Sequence, residues 1–141
     1  MNIDFIGVSE AEQSGIRGLF EAVLAADEAK DAEAMLALLS RDVEIEVEGM
    51  GVLDRIACEA SIREQVRDGA ESRMEYPTLY VEFREGAYLV EGTYRGYSDG
   101  KLAYEGSVEM RLVRRGDRFF IRREKMIPSL HAGRRLGRSE E

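Results

Sequence analysis

Tyr94-Arg-Gly-Tyr-Ser-Asp-Gly-Lys-Leu-Ala-Tyr-Glu-Gly-Ser-Val-Glu-Met-Arg-Leu-Val-Arg-Arg-Gly-Asp-Arg-Phe-Phe-Ile-Arg-Arg-Glu124 decides the architecture of this 141-residue chain. It reads as three β-strands joined by two tight turns, Ser98-Asp99-Gly100-Lys101 and Arg115-Gly116-Asp117-Arg118. Asp-Gly and Gly-Asp between alternating apolar runs are hairpin signals, because glycine takes the positive φ that such turns need. In the middle strand Leu102, Tyr104, Gly106, Val108, Met110 and Leu112 share one face. Lys101, Glu105, Ser107, Glu109 and Arg111 share the other, so the meander is half-buried and antiparallel.

The chain upstream supplies what covers that face. Ser9-Glu10-Ala11-Glu12 fits a capping box, and Ile16, Leu19, Phe20, Val23 and Leu24 then make one apolar stripe of a helix running to about Glu28. Gly15 and Gly18 flank the stripe and predict a close approach by another element. Asp31 caps a second helix over 32–39, Val43 to Glu48 alternates as a strand, and residues 50–54 read as a loop. A third helix over 57–68 turns Ala60, Ile62, Val66 and Cys58 inward and stops near Gly69. Arg73 to Arg84 is a strand with an edge, bend or bulge at Pro77, and 87–97 and 118–127 are strands. Residues 1–8 read as a lead-in and 129–141 as a loose tail.

Composition narrows the class. Hydrophobic residues at 44% and charged residues at 34% suit a single globular domain, 1–141, with its core over about 9–127. The lone Cys58 excludes an internal disulfide and points to a cytoplasmic protein. No signal peptide or membrane span is expected. The net charge of −8 is uneven: residues 1–70 carry −10 and residues 71–141 carry +2. Ten bases lie between Arg111 and Arg138. No nucleic-acid reader motif accompanies them, so they read as polar strand faces and a tail, and no nucleic acid is expected.

Two short helices, a strand, a third helix and four long strands, in that order, resemble the nuclear transport factor 2-like superfamily, which includes ketosteroid isomerases, SnoaL-like polyketide cyclases and scytalone dehydratase. The similar residues are Ala34 to Ile45 and the two meander turns, Ser98 to Lys101 and Arg114 to Ile121. The resemblance implies an α+β fold: a conical barrel, or cystatin-like roll, with three N-terminal helices on a strongly curved antiparallel sheet. It also implies a pocket at the open end and a homodimer formed through sheet faces. Across that interface Arg95 and Arg111 would meet Glu105 and Glu109.

The resemblance also locates where chemistry would sit. An isomerase-type base would fall on Val47 and its oxyanion-stabilising tyrosine on Val23, both apolar here, so that mechanism has no support. Where relatives end the last strand with a histidine, this chain reads Arg122-Arg123-Glu124-Lys125. By alternation Arg123 and Lys125 share a face with Phe119 and Ile121, and two inward cations would suit a carboxylate, sulfate or phosphate on a ligand. The alternative is that both are solvated or paired with helix acids. Tyr88, Tyr94 and Tyr104 fall on presumed inner faces, as pocket lining or as core. The only histidine, His131, lies in the tail, and Cys58 reads as a small core residue. No metal site and no cofactor are expected.

Phe20, Val47, Tyr94, Tyr104, Arg123 and Lys125 are therefore the expected pocket residues, without an assigned catalytic set. The leading expectation is a domain that binds a small hydrophobic molecule with an optional anionic group. An enzyme of the cyclase, isomerase or dehydratase type and a non-catalytic interaction module are the alternatives. A cavity holding a buried, hydrogen-bonded carboxylate would favour the enzyme, and a fully packed interior the interaction module.

Overall fold

A computed structural model describes residues 1–68 and 71–129. In chain order the elements are β1 (Asn2–Ile6), α1 (Glu10–Ala29), α2 (Ala32–Ala37), β2 (Leu39–Val47), β3 (Gly51–Leu53), α3 (Arg55–Asp68), β4 (Ser72–Glu75), β5 (Thr78–Arg84), β6 (Ala87–Ser98), β7 (Lys101–Arg115) and β8 (Arg118–Pro128). All eight strands form one sheet in the order β1-β5-β6-β7-β8-β2-β3, with β4 paired to the far end of β6. No helix among the described residues is long and apolar enough to cross a membrane. The expected tail from 130 onward, His131 and the expected helix stop at Gly69 lie outside the described residues.

The meander forms as its turns dictate. Asp99 and Gly100 both have positive φ, 53° and 78°, which is the type I′ geometry that lets a two-residue hairpin follow the twist of its strands. Val108, Met110 and Leu112 of β7 are buried on the face that α1 covers. Helix α1 starts on its capping box: Ser9 Oγ accepts from Glu12 N at 3.3 Å, and the Glu12 carboxylate accepts from Ser9 N at 3.1 Å. Ile16, Leu19 and Phe20 point into the sheet. Gly15 permits the contact, because a Cβ there would lie 2.8 Å from the Phe119 ring.

Several expectations are corrected. The sheet is mixed, since β1 pairs parallel with β5 and β2 parallel with β8. Residues 2–6 are a strand, which the alternation of buried Ile3 and half-buried Phe5 explains. The 50–54 loop contains β3, a short edge strand. The expected 73–84 strand breaks at Tyr76-Pro77, so that β4 and β5 pair with opposite ends of β6. Proline lacks the N–H that would continue a ladder. Gly18 is exposed with nothing near it. Ala60 also faces solvent, because two residues along a helix from buried Cys58 is the opposite side. Tyr104 keeps the expected face, with its ring 6.0 Å from that of buried Tyr94, but it lies toward the start of β7 and is 42% exposed.

The largest correction is in β8. Leu112 pairs with Ile121 but Arg111 pairs with Arg123, so Arg122 is an extra residue, a β-bulge. Past a bulge the alternation changes phase. Phe119 and Ile121 are buried as expected, but the next buried residue is Glu124. Arg123 is exposed, and Lys125 lies on the outer face, 4.0 Å from Glu46.

Candidate functional site

Glu124, which the bulge turns inward, borders a partly open cavity of about 150 Å³ between the last turns of α1, α2, α3, β2, β4 and β8. Eight of its twelve lining residues are apolar, among them Met35, Ile62 and Ile121; the four polar ones are Asp27, Gln65, Tyr76 and Glu124. Each arrives by a separate piece of local structure. Asp27 is four residues beyond Val23 on the buried stripe of α1. Gln65 sits three residues after Ile62 on α3. Tyr76 occupies the break between β4 and β5, and its ring packs edge-on against Phe20 at 5.8 Å.

Glu124 is the anomaly of the site. It is 7% exposed, and among the described residues it makes no hydrogen bond or ion pair. Its cross-strand neighbours are Met110 on β7 and Ile45 on β2, neither of which offers a polar side chain. Burial alone pushes its carboxyl up to about 7 from the usual 4.5. Tyr76 is pushed well above its ordinary value, first by burial and then by the charges of Glu124 and Asp27. Asp27 is better provided for. Its Oδ2 accepts from Met74 N at 2.8 Å, and Oδ1 lies 3.9 Å from Lys30 Nζ. The cavity therefore holds one carboxyl that straddles neutral pH and one carboxylate that is already anchored, within an apolar wall.

None of the six residues expected to line a pocket borders this cavity. Phe20 is fully buried behind Tyr76. Tyr94 is 2% exposed, with its ring 6.0 Å from that of Tyr104. Val47 is half-buried near the end of β2, opposite Met126 and Gly51. Arg123 and Lys125 instead line a charged groove on the outer sheet face with Glu46, Glu91, Glu109 and Arg111. Tyr88 stands at the other end of α1, where its hydroxyl donates to Glu12. Cys58 is buried, and its thiol is pushed up mainly by burial. Among the described residues there is no group of three His, Cys, Asp or Glu side chains arranged to hold a metal ion.

Of the four polar residues in the cavity, only Asp27 leaves a trace in sequence. An acid at four residues from Val23 and seven from Phe20 interrupts an otherwise apolar helical stripe. Tyr76 is hidden by the strand break, and Glu124 by the bulge.

No family model matches the chain, and no curated protein matches it. Solved structures do. The protein Aln2 from a Streptomyces species superposes with a TM-score of 0.77 at 18% identity, over 90% of this chain and 97% of that one. A putative scytalone dehydratase from Novosphingobium aromaticivorans gives 0.73 at 12% identity, over 84% and 85%. An NTF2-like protein with a cystatin-like fold from the same organism gives 0.72 at 18% identity, over 89% and 88%. At these identities the likeness concerns the fold: the chain has the cystatin-like, nuclear transport factor 2-like fold.

Proposed function

We propose that this protein binds a small, mainly apolar molecule in the cavity between its helices and the sheet, with Glu124 as the polar contact. In the conical barrel that the resemblance implies, this cavity is the interior of the cone. One observation carries the reading: a buried carboxyl with no hydrogen bond or ion pair among the described residues borders a mainly apolar space. Leaving such a group unpaired costs about 1–3 kcal/mol or more, so a chain that keeps it gains when a ligand supplies the missing partner. The size is informative too. A cavity of about 150 Å³ is the volume that accepts benzene in other proteins, well below the usual pocket for drug-sized ligands, so the occupant is a single ring or a short chain.

A second reading is an acid–base enzyme. Its support is the same carboxyl, whose value of about 7 suits proton transfer at neutral pH, beside the buried phenol of Tyr76. The mixed-charge outer face around Arg111, Glu109 and Lys125 is consistent with a dimer through sheet faces.

The test is a titration with benzyl alcohol followed through the methyl NMR signals of Met35, Met74, Ile62 and Ile121. Saturable shifts confined to those methyls are expected. Met35→Phe fills the cavity, should change stability by less than about 1.5 kcal/mol, and should abolish those shifts. Cavity methyls that stay still in the wild type would rule out the binding reading.

A further inference from the structure

Resting on the binding reading above, we propose that the cavity selects a small protonated amine over a neutral or anionic molecule of the same shape. The sequence alone suggests the reverse, through Arg123 and Lys125, but the bulge in β8 places both on the outer face. What the cavity presents is Asp27 and Glu124, with no lysine or arginine in its lining.

Three independent features point the same way. The first is Glu124 itself, more than nine-tenths buried and without a hydrogen-bond or ion-pair partner among the described residues. An ammonium group donates up to three hydrogen bonds and accepts none, which complements a carboxylate that can only accept. The second is α1. It brings its C-terminal end to the cavity, and its last turn holds Asp27 and Glu28 without a base. The negative end of a helix dipole favours a cation. The third is that the nearby bases are already engaged, Lys30 with Asp27 itself at 3.9 Å among its partners. Lys30 Nζ donates to the carbonyl and hydroxyl of Ser72, and Arg55 on α3 is held by Leu39 O, Ser40 O and Glu59.

The titratable groups near enough to feel the charge of Glu124 are the Cys58 thiol from α3, the Tyr76 phenol, and the Tyr94 phenol from β6; the Asp27 carboxylate of α1 shares its cavity. None is cationic, and Lys30, which pairs with Asp27 at 3.9 Å, does not line the cavity. Ion pairing requires Glu124 to be ionised. Burial holds its carboxyl near 7, so amine binding strengthens as pH rises through that value while the amine stays protonated. Glu124 passes from roughly one-tenth to nine-tenths ionised between pH 6 and pH 8, which corresponds to about a tenfold gain in affinity.

The experiment compares benzylamine, benzyl alcohol and benzoate by calorimetry and cavity-methyl NMR at pH 6 and pH 8. At pH 8 the amine should bind about tenfold or more tightly than the alcohol, and benzoate not measurably. Its advantage should shrink at pH 6. Glu124→Gln should remove most of the amine's advantage over the alcohol and its pH dependence. Asp27→Asn should reduce the amine's advantage in the same direction. Benzoate binding as well as the amine, or an amine affinity unchanged in Glu124→Gln, would overturn the proposal. If the alcohol binds and the amine is no better, the selectivity falls but the binding reading stands. If none of the three moves the cavity methyls, both fall.

Discussion

Near each end of α1 a carboxyl group lies close to a buried tyrosine, Glu12 of α1 itself at one end and Glu124 of β8 at the other, and the two pairs are treated in opposite ways. At the N-terminal end Glu12 accepts from the Tyr88 hydroxyl and from Ser9, and Arg114 lies 3.3 Å away. These bonds, Tyr88 first, hold its carboxyl down at about 2. At the C-terminal end Glu124 shares a cavity with Tyr76 and has no hydrogen bond or ion pair among the described residues, so burial pushes its carboxyl up to about 7. The satisfied cluster is a clip that fastens the start of α1 to the sheet. An unsatisfied one adds nothing to folding and is a place for something else to bind.

Replacing the two glutamates separates these roles, and the larger effect belongs to Glu124. Its folded-state value lies above the ordinary 4.5, so its contribution favours the folded chain fully below about pH 4.5 and is lost as pH rises through about 7. Glu124→Gln removes the cost of ionising a buried group. The variant should therefore be more stable than wild type by about 3 kcal/mol at pH 8, with the difference gone at pH 4. Urea unfolding at the two pH values measures this. Equal stability at pH 8 would mean that water or another group already stabilises the carboxylate, and the contrast between the two ends would disappear.

Glu12→Gln should show the mirror image at smaller amplitude, since the ion pair with Arg114 is solvent-screened. The folded-state value of Glu12 lies below the ordinary one, so its stabilisation is complete above about pH 4.5 and is lost as pH falls toward 2. The variant should be less stable than wild type at pH 7, and the two should converge in acid. A gap that persists at pH 2 would assign the loss to packing instead of charge.

What can be read from sequence follows the same division. The capping box, the buried stripe of α1 and the meander turns are local patterns, each fixed by residues within a few positions of one another, and each forms where the sequence places it. The candidate site depends on two irregularities that no local pattern announces. Pro77 marks an edge, bend or bulge, yet nothing near it in sequence indicates that Tyr76 turns into the interior there. In β8, strict alternation from Phe119 puts Arg123 and Lys125 inside, and only the pairing with β7 reveals that Arg122 is extra. One unpaired residue exchanges two cations for a carboxyl and inverts the charge of the cavity wall. The parallel pairings of β1 and β2 are equally hidden, because they join strands distant in sequence.

The bulge itself gives the sharpest and smallest test. Deleting Arg122 would leave Ile121 opposite Leu112, Arg123 opposite Arg111 and Glu124 opposite Met110, which is the pairing already present without the extra residue. The deletion should therefore keep Glu124 inside and Arg123 outside. Arg122 is 31% exposed and pairs with Asp42 at 2.9 Å and Glu44 at 3.7 Å, both more exposed still. Losing such pairs and relaxing a local bend should cost about 1 kcal/mol or less. Titration of the Glu124 carboxyl carbon by NMR should still give a midpoint near 7. Inserting an alanine after Arg122 should do the opposite, moving Glu124 to the outer face and returning its midpoint to the usual glutamate range. If the deletion rather than the insertion releases Glu124, the bulge shapes the cavity wall by bending it, and the change of phase is only a by-product.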